Sequence, residues 1–177
     1  NHIISTNEGS AIGFAIGYYL NKKKPAVIYL QNSGLGNIVN PITSLANPKV
    51  YGIPMLLIIG WRGEIKNKVQ IDDEPQHKFQ GEITLKQLRL LDIPYNVIDS
   101  KTKNFTQMIK SLKKKSISYQ TPVAIVVRKN TFMKSIHNFS DKKKYNFLRE
   151  DVIKDIIKVT TDKNITIVST TGMASRE

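Results

Sequence analysis

Three places in this chain hold residues whose types and spacing could do chemistry. The first is Glu8, in Asn7-Glu8-Gly9-Ser10-Ala11. A carboxylate in the first turn of a helix is favoured by the helix dipole, and that alone can account for it. The helix it opens asks for more. Gly9, Gly13 and Gly17 recur at a spacing of four, which places them on one face. Each costs about 1 kcal/mol relative to alanine in a helix interior. Close approach of another helix or of a ligand would offset that cost. The other side carries Ala11, Ile12, Ala15, Ile16 and Leu20. An element apolar on every side is expected to be buried on every side, with Glu8 at a deeply packed place.

The second place is Gln31-Asn32-Ser33-Gly34-Leu35-Gly36-Asn37, a glycine turn between a strand and a helix. It is not the dinucleotide fingerprint, because Val39 stands three positions after Gly36 and no acidic residue follows at the expected distance. Nor does the chain carry a Gly-Lys-Ser/Thr phosphate loop. By itself the turn implies only that backbone comes close to something.

The third place is Trp61-Arg62-Gly63-Glu64 with the polar run Asp72-Asp73-Glu74-Pro75-Gln76-His77-Lys78. One histidine without helical histidine spacing, and no calcium-loop spacing, argue against a metal site. No metal ligand is assigned. Arg62, His77 and Lys78 are candidates to hold an anionic group, arginine because its planar fork grips carboxylate or phosphonate bidentately. Trp61, the only tryptophan, reads as core packing at a strand end.

These residues need elements to position them. The pattern predicts a strand over His2–Ser5 and a helix over Asn7–Leu20. A strand over Pro25–Leu30 and a helix over Gly36–Ala46 come after them. Next are a strand over Pro54–Gly60 and a long polar loop from Trp61 to Gln80, read as a lid or binding loop. A helix over Ile83–Leu91, a strand over Tyr95–Ile98, a helix over Asn104–Lys115 and a strand over Pro122–Val127 complete the series. Continuous apolar strands alternating with helices specify a doubly wound parallel α/β sheet. Ligands of such sheets bind at the carboxyl ends of the strands, so the three places are expected to share one rim. Residues 134–149 are lysine-rich without apolar period and read as a linker. A helix over Glu150–Val159 and a strand over Ile165–Ser169 then begin a second α/β unit, 150–177. The first strand at the very start, and a helix just beginning at the end, suggest a piece cut at both ends.

The chain has 177 residues, 40% hydrophobic and 23% charged, the balance of a globular protein. Its longest apolar stretch, Ile53 to Trp61, is far short of the roughly 20 residues of a spanning helix, so no membrane partner is expected. There are no cysteines, which excludes thiolate chemistry and disulfides. With no signal-peptide pattern, a cytoplasmic address is the default. The net charge of +13 invites a nucleic-acid reading. Much of the excess lies in Lys22–Lys24, Lys113–Lys115 and Lys142–Lys144, near expected helix ends or in the linker and without interleaved aromatics. A solvated basic surface, without nucleic acid, is expected.

Taken in order, the motifs resemble the pyrimidine-binding domain of the thiamine-diphosphate-dependent decarboxylases. The carriers are Asn7-Glu8-Gly9-Ser10-Ala11, then Ala26-Val27-Ile28-Tyr29-Leu30, then Ser33-Gly34-Leu35-Gly36-Asn37. Gln31-Asn32, Asn40-Pro41, Ile58-Ile59-Gly60-Trp61-Arg62-Gly63-Glu64 and Asp73-Glu74-Pro75-Gln76-His77 narrow it. They are most similar to the phosphonopyruvate decarboxylases, with the sulfopyruvate decarboxylases close behind. The resemblance is dense over residues 1 to about 130, within a pyrimidine-binding domain expected over residues 1–133, and Ile165–Glu177 resembles the opening of the family's diphosphate-binding domain.

The resemblance implies thiamine diphosphate and Mg²⁺ as cofactors. It implies loss of CO2 from 3-phosphonopyruvate to give phosphonoacetaldehyde, a step of phosphonate biosynthesis, with the cofactor as electron sink. Glu8 would hydrogen-bond the pyrimidine ring. Ser33, Gly34, Gly36 and Asn37 would let backbone approach the cofactor. His77 would serve in protonation or at the anionic end of the substrate, and Asn32, Arg62 and Lys78 would bind substrate. The family's Gly-Asp-Gly and Asn-Asn diphosphate motif is absent here, so the Mg²⁺ ligands are expected outside this chain. A homo-oligomer or a complementary diphosphate-domain subunit is therefore expected, and this chain alone is expected to be incomplete for activity. The alternatives are a sulfopyruvate decarboxylase or a basic polyanion-binding module without catalysis.

Overall fold

The computed structural model describes residues 2–67, 69–133 and 148–160, the side chains of residues 149 and 160 excepted. The chain divides between Met133 and Lys134 into two compact units.

In the first unit, helix α1 (Glu8–Lys22) is capped by Asn7, whose side chain accepts from the Ser10 amide at 2.8 Å. Its last turn stops at Lys23 in the left-handed region, where the amide closes on the Tyr19 carbonyl. Strand β1 (Ala26–Gln31) runs into a 3₁₀ turn, Asn32–Gly34, and helix α2 (Leu35–Pro41), which widens into a π turn over Ile42–Ala46. Strand β2 (Met55–Gly60) is followed by a two-stranded hairpin of β3 (Ile65–Lys66) and β4 (Val69–Gln70). Helix α3 (Pro75–Leu90), strand β5 (Tyr95–Ile98), helix α4 (Phe105–Tyr119) and strand β6 (Pro122–Val127) complete the unit.

Four strands pair in the order β1-β2-β6-β5, all parallel. The β2–β6 pair is apolar on both sides because helices cover both. Leu57, Ile59, Ala124 and Val126 pack on Ile12, Ile16, Leu35, Ile38 and Leu88 of α1, α2 and α3. The alternating Leu56, Val123 and Ile125 pack on Met108, Ile109 and Leu112 of α4. Gln31, Gly60, Val127 and Ile98 stand side by side in the register, so the strands end level and the segments leaving their carboxyl ends share one rim. This is the doubly wound α/β sheet that the apolar runs specify.

Three local expectations give way. No strand forms over His2–Ser5. Ile3 and Ile4 are 65% and 88% exposed, and the His2 ring stacks on Tyr29. Helix α1 is not buried on every side: Ile12, Ala15 and Ile16 are, whereas Phe14 is 56% and Tyr18 46% exposed. Gly9 alone of its three spaced glycines meets a neighbour, a Cβ there lying 3.0 Å from the Asn37 carbonyl. The stretch Trp61–Gln80 is not an unstructured lid, since it holds the hairpin and the first turns of α3, with Pro75 at the start of the helix where its missing N–H costs nothing.

In the second unit, helix α5 (Arg149–Thr160) matches the helix expected over Glu150–Val159. Asp151 accepts from the Leu148 amide at 3.1 Å, and Glu150 pairs with Lys154 one turn on at 2.8 Å. The pair holds the Lys154 ammonium above its ordinary pKa, chiefly through the Glu150 hydrogen bond. The linker residues 134–147, the strand expected over Ile165–Ser169 and the rest of the stretch likened to a diphosphate-binding domain, 161–177, lie outside the described residues.

Candidate active site at the carboxyl ends of the strands

Glu8 opens α1 at the rim, half-buried. Its carboxylate lies against the Cα of Gly34: a Cβ there would stand 2.5 Å from Glu8 Cδ. Only glycine leaves that space. Asn37, in the first turn of α2, donates from Nδ2 to Glu8 Oε2 at 2.7 Å. A hydrogen bond to a charged acceptor is short and strong, and here it fixes one carboxylate oxygen. The site therefore brings together Glu8 from the start of α1, Gly34 from the strand-to-helix turn and Asn37 from α2. Ser33 accepts from Gln31 Nε2 at 2.8 Å, and both residues stand at the surface of the turn. Gly36 is exposed, with open space where a side chain would be.

Asn32 is 2% exposed, and its side chain is wholly engaged. It accepts from the Arg62 amide at 3.1 Å and donates to the Arg62 carbonyl at 3.0 Å and to Thr84 Oγ1 at 2.9 Å. Thr84 in turn donates to the Gln80 carbonyl of α3 at 2.6 Å. This amide is a bracket inside the protein, with no donor left for a substrate.

Arg62 is likewise engaged. Its Nε and Nη2 donate to the two oxygens of Asp73 at 2.9 and 2.5 Å. Asp73 also accepts from the amides of Gly63 at 2.9 Å and Glu74 at 2.8 Å. The Arg62 hydrogen bond, ahead of the backbone ones, holds the Asp73 carboxyl well below the usual carboxylate range, and the same bond raises Arg62. The fork expected to grip a substrate anion grips Asp73.

His77 and Lys78 sit in the first turns of α3. The His77 side chain is 12% exposed, with Nε2 4.0 Å from a Glu74 carboxylate oxygen. Its Nδ1 is buried and finds no hydrogen-bond partner among the described residues. Lys78 is an exposed residue 3.5 Å from the fully exposed Asp72.

Sequence reasoning passed over Glu64 and Arg128. Glu64 is 4% exposed, and Arg128 at the end of β6 reaches it at 3.4 Å. The Arg128 guanidinium lies 5.1 Å from the centre of the Trp61 ring. Trp61 itself is buried, as core packing requires, with Nε1 donating to the Gly81 carbonyl at 2.9 Å. Nothing in local spacing could have joined positions 64 and 128; only the β2–β6 register does. These residues, with Gln31, Gly60, Arg62 and Asp73, line a cavity of about 340 Å³ at the rim. No group of three or more His, Asp or Glu able to hold a metal ion occurs among the described residues.

Comparison with known proteins places residues 1–90 in the family described as thiamine pyrophosphate enzyme, N-terminal TPP binding domain. The sulfopyruvate decarboxylase subunit alpha of Methanococcus maripaludis is 40% identical over 127 residues, 71% of this chain and 70% of that protein. The phosphonopyruvate decarboxylase of Streptomyces viridochromogenes is 41% identical over 101 residues, 57% of this chain but 24% of that protein. The sulfopyruvate decarboxylase subunit alpha of Methanocaldococcus jannaschii is 46% identical over 68 residues, 38% of each.

Proposed function

This chain belongs to the thiamine pyrophosphate enzymes, through their N-terminal TPP-binding domain, and we propose that it is the pyrimidine-side half of a 2-keto acid decarboxylase. The substrate class is a small 2-keto acid with a second, tetrahedral anionic end, phosphonate or sulfonate. 3-Phosphonopyruvate, giving phosphonoacetaldehyde and CO2, is the first reading, and sulfopyruvate is the second. The second gains weight because the relative matched over the larger share of both chains is a sulfopyruvate decarboxylase alpha subunit.

The observation that carries the reading is the Glu8 carboxylate laid on Gly34 and held by Asn37. The residues fit a planar heterocycle: the carboxylate is half-buried, Gly34 has no side chain, and Gly36 stands open beside them. Glu8 would hold a ring nitrogen and pass its proton. Ser33, Gly34, Gly36 and Asn37 would give the ring a backbone surface. The bound cofactor supplies the electron sink for loss of CO2. His77, with its buried Nδ1, is the proposed proton donor or anion contact, and exposed Lys78 a contact for the anionic end. Asp73 engages the Arg62 side chain, and the Arg62 backbone and Thr84 engage Asn32, so both are proposed here as supports of the site rather than as its first contacts with substrate.

Mg²⁺ and its ligands are proposed to come from outside this chain, carried by a complementary subunit or a further domain. The open side of α1, with Gly13, Phe14, Gly17 and Tyr18, is the surface such a partner would cover. No helix among the described residues is long and apolar enough to cross a membrane.

The test is aldehyde release from 3-phosphonopyruvate and from sulfopyruvate by the complete protein, with and without thiamine diphosphate and Mg²⁺. Cofactor-dependent turnover that is lost in Glu8→Gln supports the reading, and the better substrate names the anion. Inertness towards both acids and towards pyruvate would sink it.

A further inference from the structure

We propose that Asn32 and the Arg62–Asp73 pair are positioning residues, which lock the glycine turn beneath Glu8 and the first turns of α3 into one rigid piece. The proposal rests on the decarboxylase reading for what the piece positions, and on geometry alone for its rigidity.

The links run without a gap. Asn32 directly precedes Ser33-Gly34, the surface on which Glu8 lies. Its amide clamps both backbone groups of Arg62 and reaches α3 through Thr84. The Arg62 side chain then closes on Asp73, whose oxygens also take the amides of Gly63 and Glu74. Glu74 is the residue immediately before α3. Gln70 donates to the Gly63 carbonyl at 3.3 Å and the Lys78 carbonyl at 2.6 Å, tying the hairpin to the same place.

Backbone contact completes the joint. Gly63 has φ +61°, and a Cβ there would collide with the His77 carbonyl. A Cβ on Gly81 would collide with the Gly63 carbonyl. The chain after β2 and the first two turns of α3 thus touch main chain to main chain. A carboxylate with four donors around it and an amide with three partners are fully satisfied groups, which rigidify rather than bind. Displacing a reacting group by about 1 Å costs about a hundredfold in rate, so a joint of this kind acts on kcat.

The alternative is that Arg62 is a substrate ligand that Asp73 merely parks. The two readings predict opposite outcomes in the complete protein. For a positioning pair, Arg62→Ala and Asp73→Ala each lower kcat by about a hundredfold. KM for the keto acid stays within about twofold, and the double variant is no worse than the worse single, because one interaction is lost in all three. Asp73→Glu, which keeps the carboxylate, recovers part of kcat. For a substrate ligand, Arg62→Ala raises KM at least tenfold while Asp73→Ala frees the fork and leaves kcat intact; that result overturns the proposal.

Amide hydrogen exchange on the same proteins reads the joint without any turnover. In Asp73→Ala, or in the near-isosteric Asp73→Asn should the alanine variant not fold, exchange at Gly63, Glu74 and His77 is expected to speed at least tenfold. Asn32→Ala is expected to do the same, with β5 and β6 unchanged in both. Unchanged exchange over residues 63–81 overturns the proposal. Loss of cofactor-dependent turnover in the unaltered protein, with the exchange result as expected, overturns the decarboxylase reading instead.

Discussion

The Glu8 carboxylate has no side chain beneath it, because the residue it lies on is Gly34. This relation joins a helix start to the turn after a strand, 26 positions later in the sequence, and it makes Gly34 testable apart from Glu8. In Gly34→Ala the new methyl would stand 2.5 Å from Glu8 Cδ, so the carboxylate must move. What must move is the outer part of a flexible, half-buried side chain, so the cost falls on the position of the carboxylate rather than on the stability of the fold. The expected outcome is a folded protein whose cofactor-dependent turnover falls about a hundredfold. Calorimetric titration with thiamine diphosphate and a steady-state assay check it together, and unchanged values would remove Gly34 from the site.

Asn37 holds the same carboxylate from the other side. A hydrogen bond to a charged group is worth about 1.5–3 kcal/mol where a bound cofactor keeps water out, and far less where water reaches it. Asn37→Ala removes it without adding bulk, so Glu8 is released rather than pushed. Turnover is expected to fall by about ten- to a hundredfold with little change in thermal stability, since the pair is solvent-facing. Differential scanning calorimetry beside the assay separates the two effects. A fall in melting temperature that matched the loss of turnover would make Asn37 a structural residue only.

How much could be read from the sequence depends on how local each signal is. Strands β2 and β6 were legible because both faces are covered, which writes each as an unbroken apolar run, Met55–Ile59 and Pro122–Val127. The glycine turn and Glu8 were legible as types and order. Their contact was not, because it depends on how α1 crosses α2. The start of α3 was hidden: Pro75, Gln76, Lys78 and Phe79 are exposed, so the first turns carry no apolar period. Arg62 looked free because its partner, eleven residues on, stood in what read as a loop. Ile3 and Ile4 looked like a strand, but β propensity needs a neighbour to pair with, and they have none among the described residues.

Gly63 offers a stability test independent of any activity. Its φ of +61° and the His77 carbonyl beside it both exclude a Cβ. Gly63→Ala is expected to destabilise by more than about 1 kcal/mol, the strain of a left-handed alanine plus displacement of α3. Gly36→Ala, where a Cβ has open space, is the control and is expected to hold stability or raise it by up to about 1 kcal/mol. Urea unfolding of both variants followed by Trp61 fluorescence measures the difference, and equal midpoints would refute it.

Asp73 sets an acid limb. Its carboxyl is held well below the usual range by the Arg62 hydrogen bond first, with the Gly63 and Glu74 amides adding to it. A group whose folded pKa is depressed stabilises fully above its unfolded value, about 3.9, and the contribution is lost as pH falls from there towards the folded value. Arg62 stays charged throughout that window. Urea midpoints are therefore expected to owe nothing to Asp73 titration between about pH 5 and 7 and to lose its share below about pH 4. Asp73→Asn is expected to be less stable at neutral pH and to show a shallower acid limb. Parallel limbs for the two proteins would show that other carboxylates carry the loss.

The open side of α1 makes the last prediction. Ile12, Ala15 and Ile16 hold the helix to the sheet, while Gly13, Phe14, Gly17 and Tyr18 face outward. Two glycines with nothing near them weaken a helix by about 1 kcal/mol each relative to alanine. An aromatic beside them that is 56% exposed is costly to leave in water. Both features make sense against a second chain, since small residues let a partner helix come close and Phe14 and Tyr18 then fill the groove between them. Phe14→Lys puts a charge into that contact but touches none of the core residues. It is expected to change the stability of the isolated chain by no more than about 0.5 kcal/mol and to lower the assembled mass seen by light scattering. Cofactor-dependent turnover is expected to fall with the assembly and to recover as protein concentration is raised. A variant that assembles and turns over as the unaltered protein does would place the partner on another surface.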